Sequence, residues 1–383
     1  MRAAALALGC FLVGACFEPA PHEGLACGPD DWCPGSLRCA ADHTCRSASS
    51  PGDGGVDDGG GPQGTSNYAF VTLNTYLASS LMTLTGADRE CMKAAAAAPL
   101  PGRYVAWLSI SGQIVSDRLG SANGWHRTDG KPFARDLQAL TEGKIFYPLR
   151  KTETGADLAD DVMTGTDDMV KSTGDDCLGF TDSSASQVIS TGESTGGTGQ
   201  WTKSSEIPCN QAGHLYCLQI DHQQPVVPAR EPGPLAFLGT MYVPRGGLAG
   251  ADTHCMADAA AGKLTGKFKA LLSTTTVAAL DRFQPLPSTP WVRLDGVATT
   301  RDFVTWDAPI NVTAAGEYAA ARVYSGATSP TQKSLSLNES CNDWTGGNSA
   351  RLGTASSAST KAFGAMGDSA TCNSDAVYCL QVP

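Results

Sequence analysis

The chain has 383 residues, with 27 Lys and Arg against 38 Asp and Glu, a net charge of −11. An acidic balance of this size does not attract nucleic acid or anionic lipid, and 43 glycines with only 7% aromatic residues favour strand-and-loop domains with long surface loops. Fourteen cysteines fit an oxidising compartment.

At the amino terminus Arg2 precedes an apolar run from Ala3 to Val13, the length of a signal h-region and too short to span a bilayer. The run ends in Leu12-Val13-Gly14-Ala15-Cys16, which resembles a bacterial lipobox. The resemblance implies a signal peptide over 1–15 and acyl chains on Cys16. Each buried CH₂ contributes roughly 0.8 kcal/mol, so several chains on one residue hold a soluble protein on a membrane. The expectation is a lipid-anchored protein of the bacterial cell envelope, at the outer membrane or cell surface, whose membrane partner is reached through that anchor.

Residues 16–46 form the anchor and a small Cys-rich module, with Cys27, Cys33, Cys39 and Cys45 at a strict spacing of six. So short a segment cannot bury an adequate core, and two disulfides are expected in its place; three pairings are open and the sequence does not choose. Residues 47–67, rich in Gly, Asp, Pro and Ser, have almost nothing to bury and are expected to be a disordered linker. A flexible coil of this length spans on the order of 25 Å.

The rest of the chain says nearly the same thing twice. Leu84-Thr-Gly-Ala-Asp-Arg-Glu-Cys91 returns as Leu248-Ala-Gly-Ala-Asp-Thr-His-Cys255, Gly102–Ser109 as Gly266–Ser273, and Asp117-Arg118 as Asp281-Arg282. Trp125-x-Arg127-x-Asp129-Gly130 matches Trp291-x-Arg293-x-Asp295-Gly296, and Leu215-Tyr-Cys-Leu-Gln219 matches Val377-Tyr-Cys-Leu-Gln381. Two whole domains follow, over 68–222 and 235–383, not a solenoid. Between them, residues 223–234 carry Pro225, Pro228, Pro232 and Pro234, a composition that predicts an extended spacer holding the domains apart in a line.

Each repeat reads as α+β. A strand opens it (68–73; 235–243) and a helix follows (86–97; 250–261), with Thr85 as N-cap and Asp88 in the first turn of the first helix. Residues 104–108 and 268–272 fit a strand or a second helical segment. Long Gly/Ser/Thr-rich stretches lead to a final strand at Leu215 or Val377. Eight cysteines divide equally between the repeats. The last strand is expected beside the opening strand and helix, which makes Cys91–Cys217 and Cys255–Cys379 the outer bridges and Cys177–Cys209 and Cys341–Cys372 the inner ones. Zinc is disfavoured because no cysteine pair has C-x₂-C spacing and no histidine recurs at matched positions.

This frame, with Gly250-Ala-Asp-x-x-Cys255, Gly266–Ser273, Leu337-Asn-Glu-Ser-Cys-Asn-Asp-Trp344 and Cys372 to Cys379, resembles endostatin and the C-type-lectin-like superfamily, and is similar to a bacterial endostatin-related domain of unknown function. The resemblance implies two tandem C-type-lectin-like domains with nested disulfides, and recognition through a long loop. It does not carry over the superfamily's calcium-held sugar site, because Ser-Ser-Glu-Ile-Pro precedes Cys209 and Gly-Asp-Ser-Ala-Thr precedes Cys372. Nor do endostatin's arginine clusters or zinc-binding histidines have counterparts; Lys263, Lys267 and Lys269 read as a solvated face.

No catalytic constellation stands in either repeat. Asp157, Asp160, Asp161, Asp167, Asp168, Asp175 and Asp176 supply hard oxygens for calcium, but without EF-hand spacing, and they are private to the first repeat; a solvated acidic loop is the plainer reading. Gly192-Glu-Ser-Thr-Gly196 has the G-x-S-x-G pattern but lies in a Ser/Thr/Gly-rich loop without the strand and helix a strained nucleophile requires. His126 and His214 face Val292 and Ala376 in the second copy, so no general base is shared. The paired aromatics Trp125/Trp291 and Phe180/Trp344 read as core. Asn311 and Asn338 sit in glycosylation-type sequences that occur by chance. The expectation is a non-enzymatic surface lipoprotein without a required cofactor, displaying two lectin-like domains to a glycan or protein ligand. The alternatives are a passive structural envelope protein and, third, a hydrolase.

Overall fold

The computed structural model describes residues 66–364 and 369–382, and the backbone of three short strands nearer the amino terminus. The signal region, Cys16, most of the 47–67 linker and any bridge among Cys27, Cys33, Cys39 and Cys45 lie outside the described residues. The chain divides into Met1–Gly60 and Gly61–Pro383. In the first unit, Thr44–Ser47 pairs antiparallel with both Leu25–Ala26 and Leu37–Cys39.

In the second unit, each repeat is built around its closing strand. Ala212–Gln219 lies between the opening strand Asn67–Val71 and Tyr104–Ala106, both antiparallel, with Cys217 opposite Phe70 and Ala106. Tyr378–Gln381 lies between Ala236–Leu238 and Phe268–Ala270, with Cys379 opposite Phe237 and Ala270. The ambiguous 104–108 and 268–272 segments are therefore strands, because the closing strand offers each a ladder of hydrogen bonds. In the first repeat the sheet grows to nine strands, reaching Ser205–Pro208 at one edge and Pro132–Ala134 at the other. Apolar clusters line both faces of the strands in each repeat. Trp125, Trp291, Phe180 and Trp344 are fully buried among them.

The long helices are Leu84–Ala97 and Gly247–Ala261. Thr83, not Thr85, caps the first, its hydroxyl accepting from Gly86 N at 3.0 Å. Asp88 serves another purpose, repeated in the second copy. It accepts from Ala106 N at 2.9 Å and pairs with Arg118, which also donates to the carbonyls of Ala106 and Leu108. Asp252 likewise accepts from Ala270 N at 3.0 Å and pairs with Arg282 at 2.6 Å. The recurring Asp and Arg thus clamp helix, strand and following turn together, and each charge is largely withdrawn from water yet matched.

All four expected bridges form: Cys91–Cys217, Cys177–Cys209, Cys255–Cys379 and Cys341–Cys372, with Cα atoms 5.4–5.7 Å apart. The inner bridges anchor an unusual turn. Cys177, Leu178, Gly179 and Phe180 all have positive φ, between 54° and 67°, and Cys341 through Trp344 do too, between 49° and 67°. A left-handed turn costs L-residues roughly 1–2 kcal/mol per residue. Here each is closed by a hydrogen bond, Phe180 N to Asp176 O and Trp344 N to Ser340 O, and held by the bridge and a buried aromatic ring.

The repeats are not held apart. Residues 223–234 lie along both of them: Val226, buried, donates its N–H to Arg135 O, and Glu231 N donates to Gly296 O, both at 2.9 Å. Prolines here keep the segment extended while apolar contacts fold it back, so the expected spacer is a strap.

Candidate functional site

The strand registers make the two copies superimposable on paper. Val162 pairs in parallel with His214, and Val323 with Ala376 in the same way. Ser109 N donates to Thr164 O, and Ser273 N to Ser325 O. The strand Val188–Glu193 pairs with Asp161–Met163, and Ala350–Thr354 with Arg322–Tyr324. Gly192 therefore matches Gly353, and Ser194 through Gly197 match Ala355 through Ala358.

Across the join, equivalent residues meet. Gly196 and Ser357 face each other in an antiparallel bridge; Gly197 N donates to Ser356 O at 2.7 Å, and Ala358 N donates to Thr195 O at 2.9 Å. Those two bonds exchange under the repeat equivalence, so the seam is a local two-fold, the self-complementary contact of a symmetric dimer built within one chain. Around it, Phe146 and Tyr147 pack with Val297 and Ala308, Arg150 donates to Trp306 O at 2.8 Å, and Lys131 pairs with Asp307 at 3.3 Å. Burial pushes the Tyr147 phenol up to about 12.

The second copy's Arg293, fully buried, is the polar centre of this seam. Its guanidinium forks onto Asp295 at 3.1 and 2.6 Å and donates to Asn311 Oδ1 at 2.6 Å, with a longer contact to Ile145 O of the first repeat at 3.4 Å. Asn311 in turn donates to Thr198 Oγ1 at 3.1 Å. Tyr318 donates to Asp295 at 2.5 Å. Burial raises the Asp295 carboxyl, but the Arg293 charge and the hydrogen bonds from Arg293 and Tyr318 outweigh it and hold the group below its ordinary value. Buried at 0% exposure, Asn311 is no glycosylation acceptor.

A cleft opens on each side of the two-fold. One, of about 390 Å³, is lined by Arg135, Gln138, Glu142, Lys144 and Phe146 of the first repeat, Val227 and Pro228 of the strap, and Asp295 and Tyr318 of the second repeat. The other, of about 370 Å³, runs between Arg150 and Asp157 of the first repeat and Thr305, Trp306 and Thr360 of the second. Each is walled by the mid-sequence loop of one repeat and an Asp157- or Tyr318-bearing segment of the other. Neither exists in a repeat taken alone.

The residues singled out in the sequence scatter around this seam. Asp157 accepts from Arg150 at 2.8 Å and Lys151 at 3.0 Å; partial burial raises its carboxyl, and these cations more than reverse the effect. Asp160 lies 3.6 Å from His214 Nε2. Asp161 is raised by burial, then by the charges of Asp160 and Glu193. Asp167 closes a turn onto Met169 N and Lys171 N, and Asp176, buried, accepts from Ser111 N and Gly179 N. Asp168 is exposed and Asp175 half-buried. The seven carboxylates are spread over separate turns, and among the described residues no group of three His, Cys, Asp or Glu has metal-holding geometry.

The G-x-S-x-G segment differs from the expected loop: its first two residues, Gly192 and Glu193, end the strand Val188–Glu193, and a turn of the seam follows in place of a helix. Ser194 is fully buried, accepting from Asp160 N at 2.9 Å and donating to Leu158 O at 3.0 Å. Its hydroxyl is committed to backbone, and its counterpart is Ala355. His214, also buried, donates from Nδ1 to Thr72 O at 2.7 Å, and His126 contacts Ser66 Oγ at 3.1 Å. Lys269 donates to Arg282 O at 3.3 Å.

Sequence reasoning missed the cleft itself. Arg127-x-Asp129 and Arg293-x-Asp295 were visible as a repeated motif, and that was the available signal: a conformationally expensive buried fork kept in both copies marks a packed boundary. Lys144, Phe146 and Tyr318 carried none, since their neighbourhood is made by the other repeat. Among the described residues no helix is long and apolar enough to cross a membrane. No protein-family model matches this chain, and no curated protein does.

Proposed function

We propose that this chain is a bacterial surface lipoprotein, anchored through Cys16, that carries two endostatin-like, C-type-lectin-like domains as a non-enzymatic ligand-binding or adhesion module. The observation that carries the reading is the seam. Two doubly bridged repeats joined by reciprocal backbone bonds make a stiff platform, and its clefts and long loops are where recognition concentrates on such scaffolds. The lipobox-like Leu12–Cys16 and the Gly/Asp-rich linker support display away from a membrane. The buried, backbone-committed Ser194 and unshared histidines favour binding over hydrolysis.

The test has two parts. Labelled palmitate should enter the wild type and not Cys16→Ser, and protease added to intact cells should cut the wild type only. The purified ectodomain is then titrated with glycans, host and envelope proteins, and calcium. Binding of none of them would favour the passive structural role.

A further inference from the structure

We infer that Thr240, His254 and Asp258 form a site for a copper(II) ion on the second repeat, a property that goes beyond the ligand-display reading and does not depend on it.

The donors come from two rigid elements. His254 and Asp258 are four residues apart on the helix Gly247–Ala261, so they share one face. Thr240, two residues past the strand Ala236–Leu238, meets that face: its N–H donates to Asp258 Oδ2 at 2.7 Å and its hydroxyl to Asp258 Oδ1 at 2.9 Å. Tyr242 orients the imidazole, with ring centroids 5.3 Å apart. Tyr242 is itself buried, its hydroxyl fixed between Arg245 N and Arg245 O at 3.1 Å each. Beside His254, Cys255 is bridged to Cys379, which ties this turn of helix to the closing strand. The donors are thus held in place before a ligand arrives.

The imidazole edge faces more acceptors than it has protons. Nε2 lies 3.1 Å from Thr240 O, 3.3 Å from Thr240 Oγ1 and 3.5 Å from Asp258 Oδ2. One N–H serves one of those oxygens, whereas a cation in its place is shared by all of them. A metal bonded at about 2.0–2.2 Å sets neighbouring ligand atoms about 2.8–3.6 Å apart, at right or tetrahedral angles. The separations from Nε2 fall in that range, and so do the 2.9 and 3.1 Å between Thr240 Oγ1 and the two Asp258 oxygens. The His254 and Asp258 side chains are 21% and 13% exposed, open enough for entry and for water to complete the shell.

The donor set selects the metal. His254 supplies nitrogen, and the Asp258 carboxylate with the hydroxyl and carbonyl of Thr240 supplies oxygen. Calcium and magnesium take oxygen alone, while mixed nitrogen and oxygen suit the later first-row metals, whose affinity peaks at Cu²⁺ and falls at Zn²⁺. By the strand and helix registers, Leu73, Glu90 and Ala94 stand at the matched positions of the first repeat. The site is therefore private to the second copy, and the first is its internal control.

The experiment is calorimetric titration of the whole ectodomain with copper(II) chloride in a non-coordinating buffer, with electron paramagnetic resonance at one equivalent. The wild type should bind with Kd on the order of 10 μM and show coupling to one imidazole nitrogen. His254→Gln should lose that coupling, and Asp258→Asn should weaken binding about tenfold or more, while Glu90→Gln leaves both unchanged. Asp258→Asn keeps an oxygen for Thr240 N, so it tests the site even where His254→Gln does not fold. No binding up to about 1 mM, a nitrogen signature retained in His254→Gln, affinity unmoved in Asp258→Asn, or Zn²⁺ bound more tightly than Cu²⁺ would overturn the proposal. None of these outcomes bears on binding at the clefts of the seam.

Discussion

Replacing Arg293 with alanine isolates the forces that hold the seam. The guanidinium is fully buried and makes two bonds to Asp295, one to Asn311 and a longer one to Ile145 O in the other repeat. Removing one partner of a buried pair strands the other, a loss of about 3–5 kcal/mol. The pH dependence sharpens the test. In the wild type Asp295 titrates below its unfolded value, so its contribution is present above about pH 4 and is lost as pH falls through the folded pKa. Without Arg293, burial is left as the largest influence, which raises the carboxyl and makes its charged form destabilising above about pH 4. The variant's deficit should therefore be largest at pH 7 and shrink on acidification. Urea unfolding followed by tryptophan fluorescence at both pH values reads it. Trypsin reads the seam separately: Arg230 in the strap should be cut faster in Arg293→Ala than in Arg127→Ala, whose guanidinium bonds only within its own repeat. A deficit below about 1 kcal/mol at pH 7, or one that does not change with pH, would refute the reasoning.

Breaking the inner bridge with Cys177→Ser/Cys209→Ser opens a loop of 32 residues and should cost about 3–4 kcal/mol in chemical denaturation, against about 5 kcal/mol for the 126-residue outer loop of Cys91–Cys217. Gly192→Ala would drive its methyl to 1.9 Å from Trp201 O, and Gly353→Ala to 2.2 Å from Ala362 O; both variants should unfold several degrees earlier than wild type in a thermal scan. Asp161→Asn should gain stability at neutral pH, since burial and the charges of Asp160 and Glu193 raise its carboxyl, and the gain should vanish below about pH 4, where the wild-type group is protonated in both states. Ser194→Ala should leave the absence or presence of esterase activity unchanged and cost on the order of 1 kcal/mol, the worth of two backbone hydrogen bonds.

Much of each repeat was legible because its determinants are local. The Asp-x-x-Cys helix and the closing Tyr-Cys-Leu-Gln segment each carry their pattern within a few residues, whereas Tyr104–Ala106 and Phe268–Ala270 fit strand or helix until the closing strand offers each a ladder. With those placed, proximity of the first and last cysteines followed. Thr83 and Thr85 offer the same hydroxyl, and Thr83 is the cap because the helix begins at Leu84, which leaves Thr83 extended ahead of the first turn and able to accept from Gly86 N. The strand Val188–Glu193 was hidden by its serine, threonine and glycine content, which is tolerated because strands pair on both sides of it. The strap was misread for a different reason. Proline content sets the stiffness of residues 223–234, but not where they lie, and Val226 decides that by finding a buried position on the first repeat. The cleft was invisible because neither repeat contains it.

The reciprocal bonds at Gly197 and Ala358 carry a consequence for assembly. Two separate molecules meeting through this edge would part on dilution, whereas halves joined by twelve residues meet at an effective concentration that no dilution lowers. Covalent continuity thereby frees the two halves to diverge: once association no longer depends on matching surfaces, one flank of the axis can hold Lys131 opposite Asp307 while the other holds Phe146 against Val297.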